Sequence, residues 1–256
     1  MNKLIAANWK MNKTVAESVS TVKELKKLVK DAKNAEIAVC PPFTALYAVS
    51  KELKKSDVRL GAQNMHFEDA GALTGEVSPA MLKDIGCEFV ILGHSERREF
   101  SGEDDEFISK KVIAALKHDL KPILCVGENL EQRNNGEAKD VVENQLEKCL
   151  NEINKSQMAM ISIAYEPVWA ISRGNSNTRP ATKEDAEEMH RFIRGLIAKI
   201  FDSGTSKSTR ILYGGSVKPE NARELLSMPN INGALVGNAS LDAKSFAEIV
   251  KAAEIN

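Results

Sequence analysis

A chain of 256 residues can bury one large core, and α/β barrels use this length as a single domain. Hydrophobic residues at 43% and charged residues at 28% exclude extended disorder. A formal charge of -1, from 35 basic and 36 acidic side chains, excludes a global field that would draw the protein to nucleic acid or to an acidic membrane.

Short apolar runs alternate with amphipathic segments from end to end, and no linker or low-complexity tract interrupts them, so residues 1–256 read as one domain. The first run, Leu4 to Ala7, precedes a helix opened by the capping box Thr14-Val15-Ala16-Glu17. Its apolar positions Val15, Val19, Val22, Leu25 and Val29 recur at helical spacing and predict one inward face. The second and third runs are Ile37 to Cys40 and Val58 to Ala62. A later helix starts at Ser78-Pro79 and stops at Gly86, with an N-cap, a first-turn proline and a terminal glycine. The fourth run, Phe89 to Leu92, leads into Gly93-His94-Ser95-Glu96-Arg97-Arg98-Glu99, where Ser95 and Glu96 open a short helix whose dipole favours a neutral His94. The fifth run is Ile123 to Val126. The sixth, Met160 to Tyr165, ends at Glu166-Pro167, where the proline stops both ladder and helix. The loop from Ile171 to Pro180 is long, polar and Gly/Pro-punctuated, the composition of a lid, and Thr182-Lys183-Glu184-Asp185 opens the helix beyond it. The last two runs, Arg210 to Tyr213 and Ala234 to Val236, pass into Gly214-Gly215-Ser216 and Gly237-Asn238.

Runs that are apolar rather than alternating imply strands buried on both faces, as in a parallel sheet. Eight strand-helix repeats fit a closed (β/α)8 barrel better than an open sheet, and a barrel gathers the residues just after its strands on one rim. Those residues are polar: Asn8 and Lys10, Gln63 and Asn64, His94, Glu128, Glu166, and the two glycine turns. A cation, an imidazole and a carboxylate at one mouth suit proton transfer next to a carbonyl, a chemistry that needs neither metal nor cofactor. The turns after strands seven and eight are where barrels bind phosphate through backbone N–H groups. Taken singly, Glu166 reads as a structural carboxylate, Lys10 as a surface cation, and His94, like His66, His118 and His190, as a hydrogen-bonded rim or core residue. Cys40, Cys87, Cys125 and Cys149 show no metal or CxxC spacing and read as reduced core thiols. The N-terminal apolar run is too short for a signal peptide or a membrane span, so the cytoplasm is the expected location.

With these residues assembled, the chain resembles the triosephosphate isomerase family over essentially its whole length. The resemblance rests on Ala7-Asn8-Trp9-Lys10, Gly61-Ala62-Gln63-Asn64, Gly93-His94-Ser95-Glu96-Arg97-Arg98, Ala164-Tyr165-Glu166-Pro167-Val168-Trp169-Ala170, Tyr213-Gly214-Gly215-Ser216 and Leu235-Val236-Gly237, in the family's order. It implies a TIM barrel that interconverts dihydroxyacetone phosphate and glyceraldehyde 3-phosphate through an enediolate. Glu166 is then the base, His94 the electrophile and proton shuttle, and Lys10 with Asn8 the stabilisers of oxyanion charge. Ser95 helps to hold Glu166 and Glu96 supports the site, while backbone N–H groups of Ser172, Ser216, Gly237 and Asn238 hold the phosphate. The lid comprises Pro167, Val168, Trp169, Ala170, Ile171, Ser172, Arg173 and Gly174. The segment His66 to Glu76 resembles a loop that projects into a partner subunit, with Thr74 near its tip and Met11 in the socket, which implies a homodimer.

The sequence departs from the family where the phosphate is covered. Ser172-Arg173-Gly174 stands where the family has Gly-Thr-Gly, the loop to Thr182 is roughly four residues longer than usual, and Asn238 replaces a second glycine. Serine pays a steric cost at positive φ that glycine does not. Two alternatives follow: an enzyme that leaks intermediate to methylglyoxal and phosphate, and a silent barrel that binds sugar phosphate without turnover.

Overall fold

The computed structural model describes residues 2–170 and 181–254. Eight strands, β1 (Lys3–Asn8), β2 (Ala35–Cys40), β3 (Val58–Ala62), β4 (Phe89–Leu92), β5 (Lys121–Val126), β6 (Ser162–Tyr165), β7 (Arg210–Tyr213) and β8 (Gly233–Val236), form a closed barrel in chain order. Every pairing is parallel, and β1 closes on β8 with Leu4 opposite Gly233 and Ala7 opposite Val236. The fold is a (β/α)8 barrel, as the repeat pattern predicts. Its strands match the eight apolar runs to within two residues; β6 starts at Ser162 rather than Met160. Met160 N–H and Ile161 N–H bond back to the carbonyls of Gln157 and Met158, so the preceding turn takes them from the sheet.

Two cores explain why the strands are apolar on both faces. Alternate residues such as Leu4, Ala6, Phe89, Ile91, Ile123, Cys125, Leu212 and Leu235 fill the barrel interior. Their neighbours Ile5, Ala7, Val90, Leu92, Leu124 and Val126 point outward against helix residues such as Val22, Leu25 and Ile193. Period-two alternation therefore separates two apolar environments, each worth about 1.5–3 kcal/mol per large side chain buried.

The capping predictions hold. Thr14 N–H bonds Glu17 Oε2 at 2.7 Å while Glu17 N–H bonds Thr14 Oγ1, opening the helix Val15–Leu28. Ser78 caps Pro79–Asp84, and Gly86 follows at φ +88. Thr182 and Asp185 cap each other at the start of Lys183–Ile200. Val15 corrects the expected inward face: it lies exposed in the first turn, and the buried stripe begins with Ser18 and Val22.

Gly233 stands at the seam of the barrel. Its φ is +149, and a Cβ there would enter the space of the Leu4 carbonyl and backbone nitrogen. Gly233→Ala is therefore expected to lower unfolding free energy by roughly 3 kcal/mol, the upper end of common substitutions. Chemical denaturation checks this, and a midpoint equal to that of the unsubstituted protein contradicts it.

Candidate active site

Strand ends deliver the predicted residues to one mouth. Asn8 ends β1 with Lys10 two residues on, His94 follows β4, Glu166 follows β6, and the turns with Ser216 and with Gly237 and Asn238 follow β7 and β8. Together with Glu96 these residues line a cavity of about 1170 Å³. Lys10 adopts a left-handed φ of 52, uncommon for a side-chain-bearing residue. Three contacts hold it there: its N–H donates to Asn8 Oδ1 at 3.1 Å, Gln63 Nε2 donates to its carbonyl at 2.9 Å, and its Nζ donates to Glu96 Oε1 at 2.6 Å. Gln63 also reaches the Cys40 carbonyl, so the ends of β1, β2 and β3 share one amide.

Glu166 is buried, and its charge is fully engaged. His94 Nε2 lies 2.9 Å from Oε1, and Ser95 N–H donates to Oε2 at 2.9 Å. The expected hold by Ser95 thus comes from its backbone, while its buried hydroxyl has no partner among the described residues. Burial opposes ionisation of Glu166, but the charge and hydrogen bond of His94, the Ser95 N–H and Lys10 outweigh it and hold the carboxyl below its ordinary range. Burial likewise opposes a charge on His94, and Glu166 outweighs it and holds the imidazole above its ordinary value. Glu96 N–H acts the other way by donating to His94 Nδ1 at 3.2 Å, a bond that a doubly protonated ring cannot accept. A neutral ring with its proton on Nε2 satisfies both contacts. The predicted helix at Ser95 is real but only six residues long, Ser95–Phe100, so its effect on the imidazole comes through this one amide. Gly127 lies flat beneath Glu166, where any Cβ would collide with the Glu166 carbonyl.

Glu128, which the sequence places on the rim without a role, anchors the turn that follows Glu166. Tyr165 OH donates to both its carboxylate oxygens at 3.0 and 3.1 Å, and Trp169 Nε1 donates to Oε1 at 2.7 Å. Val168 N–H bonds its carbonyl, and Arg133 pairs with its carboxylate at 3.3 Å while covering the Trp169 ring. Burial raises the Glu128 carboxyl above its ordinary value despite these donors. Val168, Trp169 and Ala170 form one 3-10 turn after Pro167. Ile171, Ser172, Arg173 and Gly174 lie outside the described residues.

The remaining candidates separate clearly. Arg97 pairs with Glu103 and Arg98 with Asp105, as neighbours on a charged turn do. His190 is a core residue, its Nδ1 2.7 Å from the Ala186 carbonyl, and burial lowers its pKa to about 4. His118 pairs with Asp69, and His66 stacks on Phe67. Met11 is 94% exposed and Thr74 is exposed. A buried Lys111, bonded to Glu103 and Asn64, has no counterpart in the sequence reading, because nothing in its helix Asp105–Lys117 marks it from the surface lysines beside it.

Fold and site together define a barrel enzyme built to move protons beside an oxygen, with an adjacent pair of backbone turns suited to an anion. A sequence model of the family described as triosephosphate isomerase matches residues 3–253. Relatives carrying that name include those of Carboxydothermus hydrogenoformans, 54% identical over 247 residues covering 96% of this chain and 97% of the relative, and Aquifex aeolicus, 52% identical over 250 residues covering 98% and 99%. That of Dictyoglomus turgidum is 49% identical over 249 residues, covering 97% and 98%. The chain belongs to the triosephosphate isomerase family and is an isomerase.

The pair at the centre of the site has a pH signature. Glu166, with its native pKa lowered, contributes stability that is present above the unfolded carboxylate value and lost as pH falls through the native one. The unfolding free energy of the protein relative to Glu166→Gln is therefore expected to fall between about pH 5 and about pH 2. Denaturation of both proteins across this range tests it, and a constant difference rejects it.

Proposed function

We propose that this protein interconverts dihydroxyacetone phosphate and D-glyceraldehyde 3-phosphate, with Glu166 as the base. The carboxylate takes the proton from the carbon beside the carbonyl, and the C–H electrons move through the new carbon-carbon double bond to the carbonyl oxygen. His94 donates its Nε2 proton to that oxygen and accepts one from the neighbouring hydroxyl. Glu166 then returns its proton to the adjacent carbon. Lys10 and Asn8 stabilise the enediolate, Glu96 positions Lys10, and the Ser95 N–H holds Glu166 until substrate displaces it from His94. As that contact breaks, the raising effect of Glu166 on His94 disappears and a neutral donor remains. Phosphate rests on the N–H groups of Ser216, Gly237 and Asn238, with Ser172 completing the set from the lid, which runs from Pro167 to Gly174 and keeps water from the intermediate.

The observation that carries this reading is the direct Glu166 to His94 contact in a cavity that Lys10 and both glycine turns share. The relatives' names favour it over a leaky enzyme or a silent binding barrel. Purified protein should turn over glyceraldehyde 3-phosphate, and Glu166→Gln should lower kcat by about 10²–10⁴-fold. Equal rates in the two proteins would falsify the assignment.

The same reading makes residues 1–256 one domain and the active species a homodimer, with Thr74 of one copy near Met11 of the other. Support comes from exposed Met11 and Leu73, apolar side chains that a second copy would cover. Sedimentation should give twice the chain mass, and Thr74→Arg should shift the equilibrium to monomer; a monomeric parent protein rejects the dimer. The four buried, unpaired cysteines suit a reducing cytoplasm, and among the described residues no helix is long and apolar enough to cross a membrane.

A further inference from the structure

The charges lining the cavity leave a deficit for an anionic substrate. Among the described residues its ionisable lining is Lys10, Lys218, Glu96, Glu166 and Glu220, with His94. Two ammonium groups against three carboxylates leave one negative charge when His94 is neutral. Lys10 is already paired with Glu96 at 2.6 Å and Glu166 with His94 at 2.9 Å, so neither can offer an uncommitted charge to an incoming phosphate. Lys218 can: it is exposed, lines the same cavity two residues after Ser216, and makes no ion pair among the described residues. Its place is fixed by the helix Pro219–Leu226, which it caps, with its N–H bonded to Asn221 Oδ1 at 2.8 Å.

We infer that Lys218 is a specificity-determining residue that draws the phosphate dianion of the substrate into the cavity, with Glu220 opposing it. This rests on the isomerase reading. Its force is long-range Coulomb attraction at a mouth with low-dielectric walls, so it acts on encounter and on the neutral-versus-dianionic choice rather than on the proton transfer. A single charge about 8 Å from a dianion changes encounter about twofold near 0.15 M ionic strength and about fourfold near 0.01 M. A lysine that merely covers the helix end would have no such salt dependence.

The test is kcat/KM for glyceraldehyde 3-phosphate at the two ionic strengths. Lys218→Ala should lower it by those factors, with the loss in kcat/KM rather than kcat; Lys218→Arg should restore it, and Glu220→Gln should raise it at low salt. With phosphate-free glyceraldehyde as substrate the salt dependence should vanish. Binding of inorganic phosphate, measured by calorimetry, should weaken in Lys218→Ala by similar factors whether or not the protein turns over substrate. Parallel salt slopes in the parent protein and Lys218→Ala, unchanged phosphate affinity, or a defect that arginine does not restore overturns the inference. Absence of turnover in the parent protein alone strikes instead at the isomerase reading.

Discussion

The pairing of β1 with β8 is the constraint on which everything else depends. Until Leu4 meets Gly233, Lys10 and Asn238 belong to opposite ends of the chain; after closure they line one cavity. Closure is possible because the strands hide both faces, and because Gly233 leaves room for the Leu4 backbone. The site is thus a by-product of topology, since parallel strands that close must bring all their carboxyl ends to one rim.

What the rim then has to solve is charge burial. An isolated carboxylate at the Glu166 position would be costly, and the fold answers with an imidazole and an amide aimed at separate oxygens. The same contacts favour the ionised form of Glu166, and Glu96 N–H holds His94 in place. Lys10 is restrained in the same manner, with a strained backbone secured by Asn8 and Gln63 and its ammonium secured by Glu96. Lys10, His94 and Glu166 are each held by a partner at a different strand end, so a shift of one strand would disturb the whole set.

Glu128 extends this logic to the turn that follows Glu166. One buried carboxylate receives Tyr165 from the strand that carries Glu166 and Trp169 from the turn after it, with Arg133 supplying the counter-charge. The strand that carries Glu166 and the 3-10 turn after it therefore rest on one anchor.

The sequence by itself determined the local and periodic features: eight apolar strand runs, the caps at Thr14, Ser78 and Thr182, and the strand-end positions of Glu166, His94 and Lys10. These are legible because caps, prolines and apolar runs act over a few residues. Family motifs made the roles legible as expectations, since the same residue types recur in the same order. Only the tertiary structure decided which groups touch: that Ser95 holds Glu166 by its amide, that Glu128 gathers Tyr165 and Trp169, that Val15 faces out and Lys111 faces in. Such contacts join residues far apart in the chain, and no periodicity records them. A buried lysine and a surface lysine have the same neighbours in sequence, and closure of the barrel is what separates them.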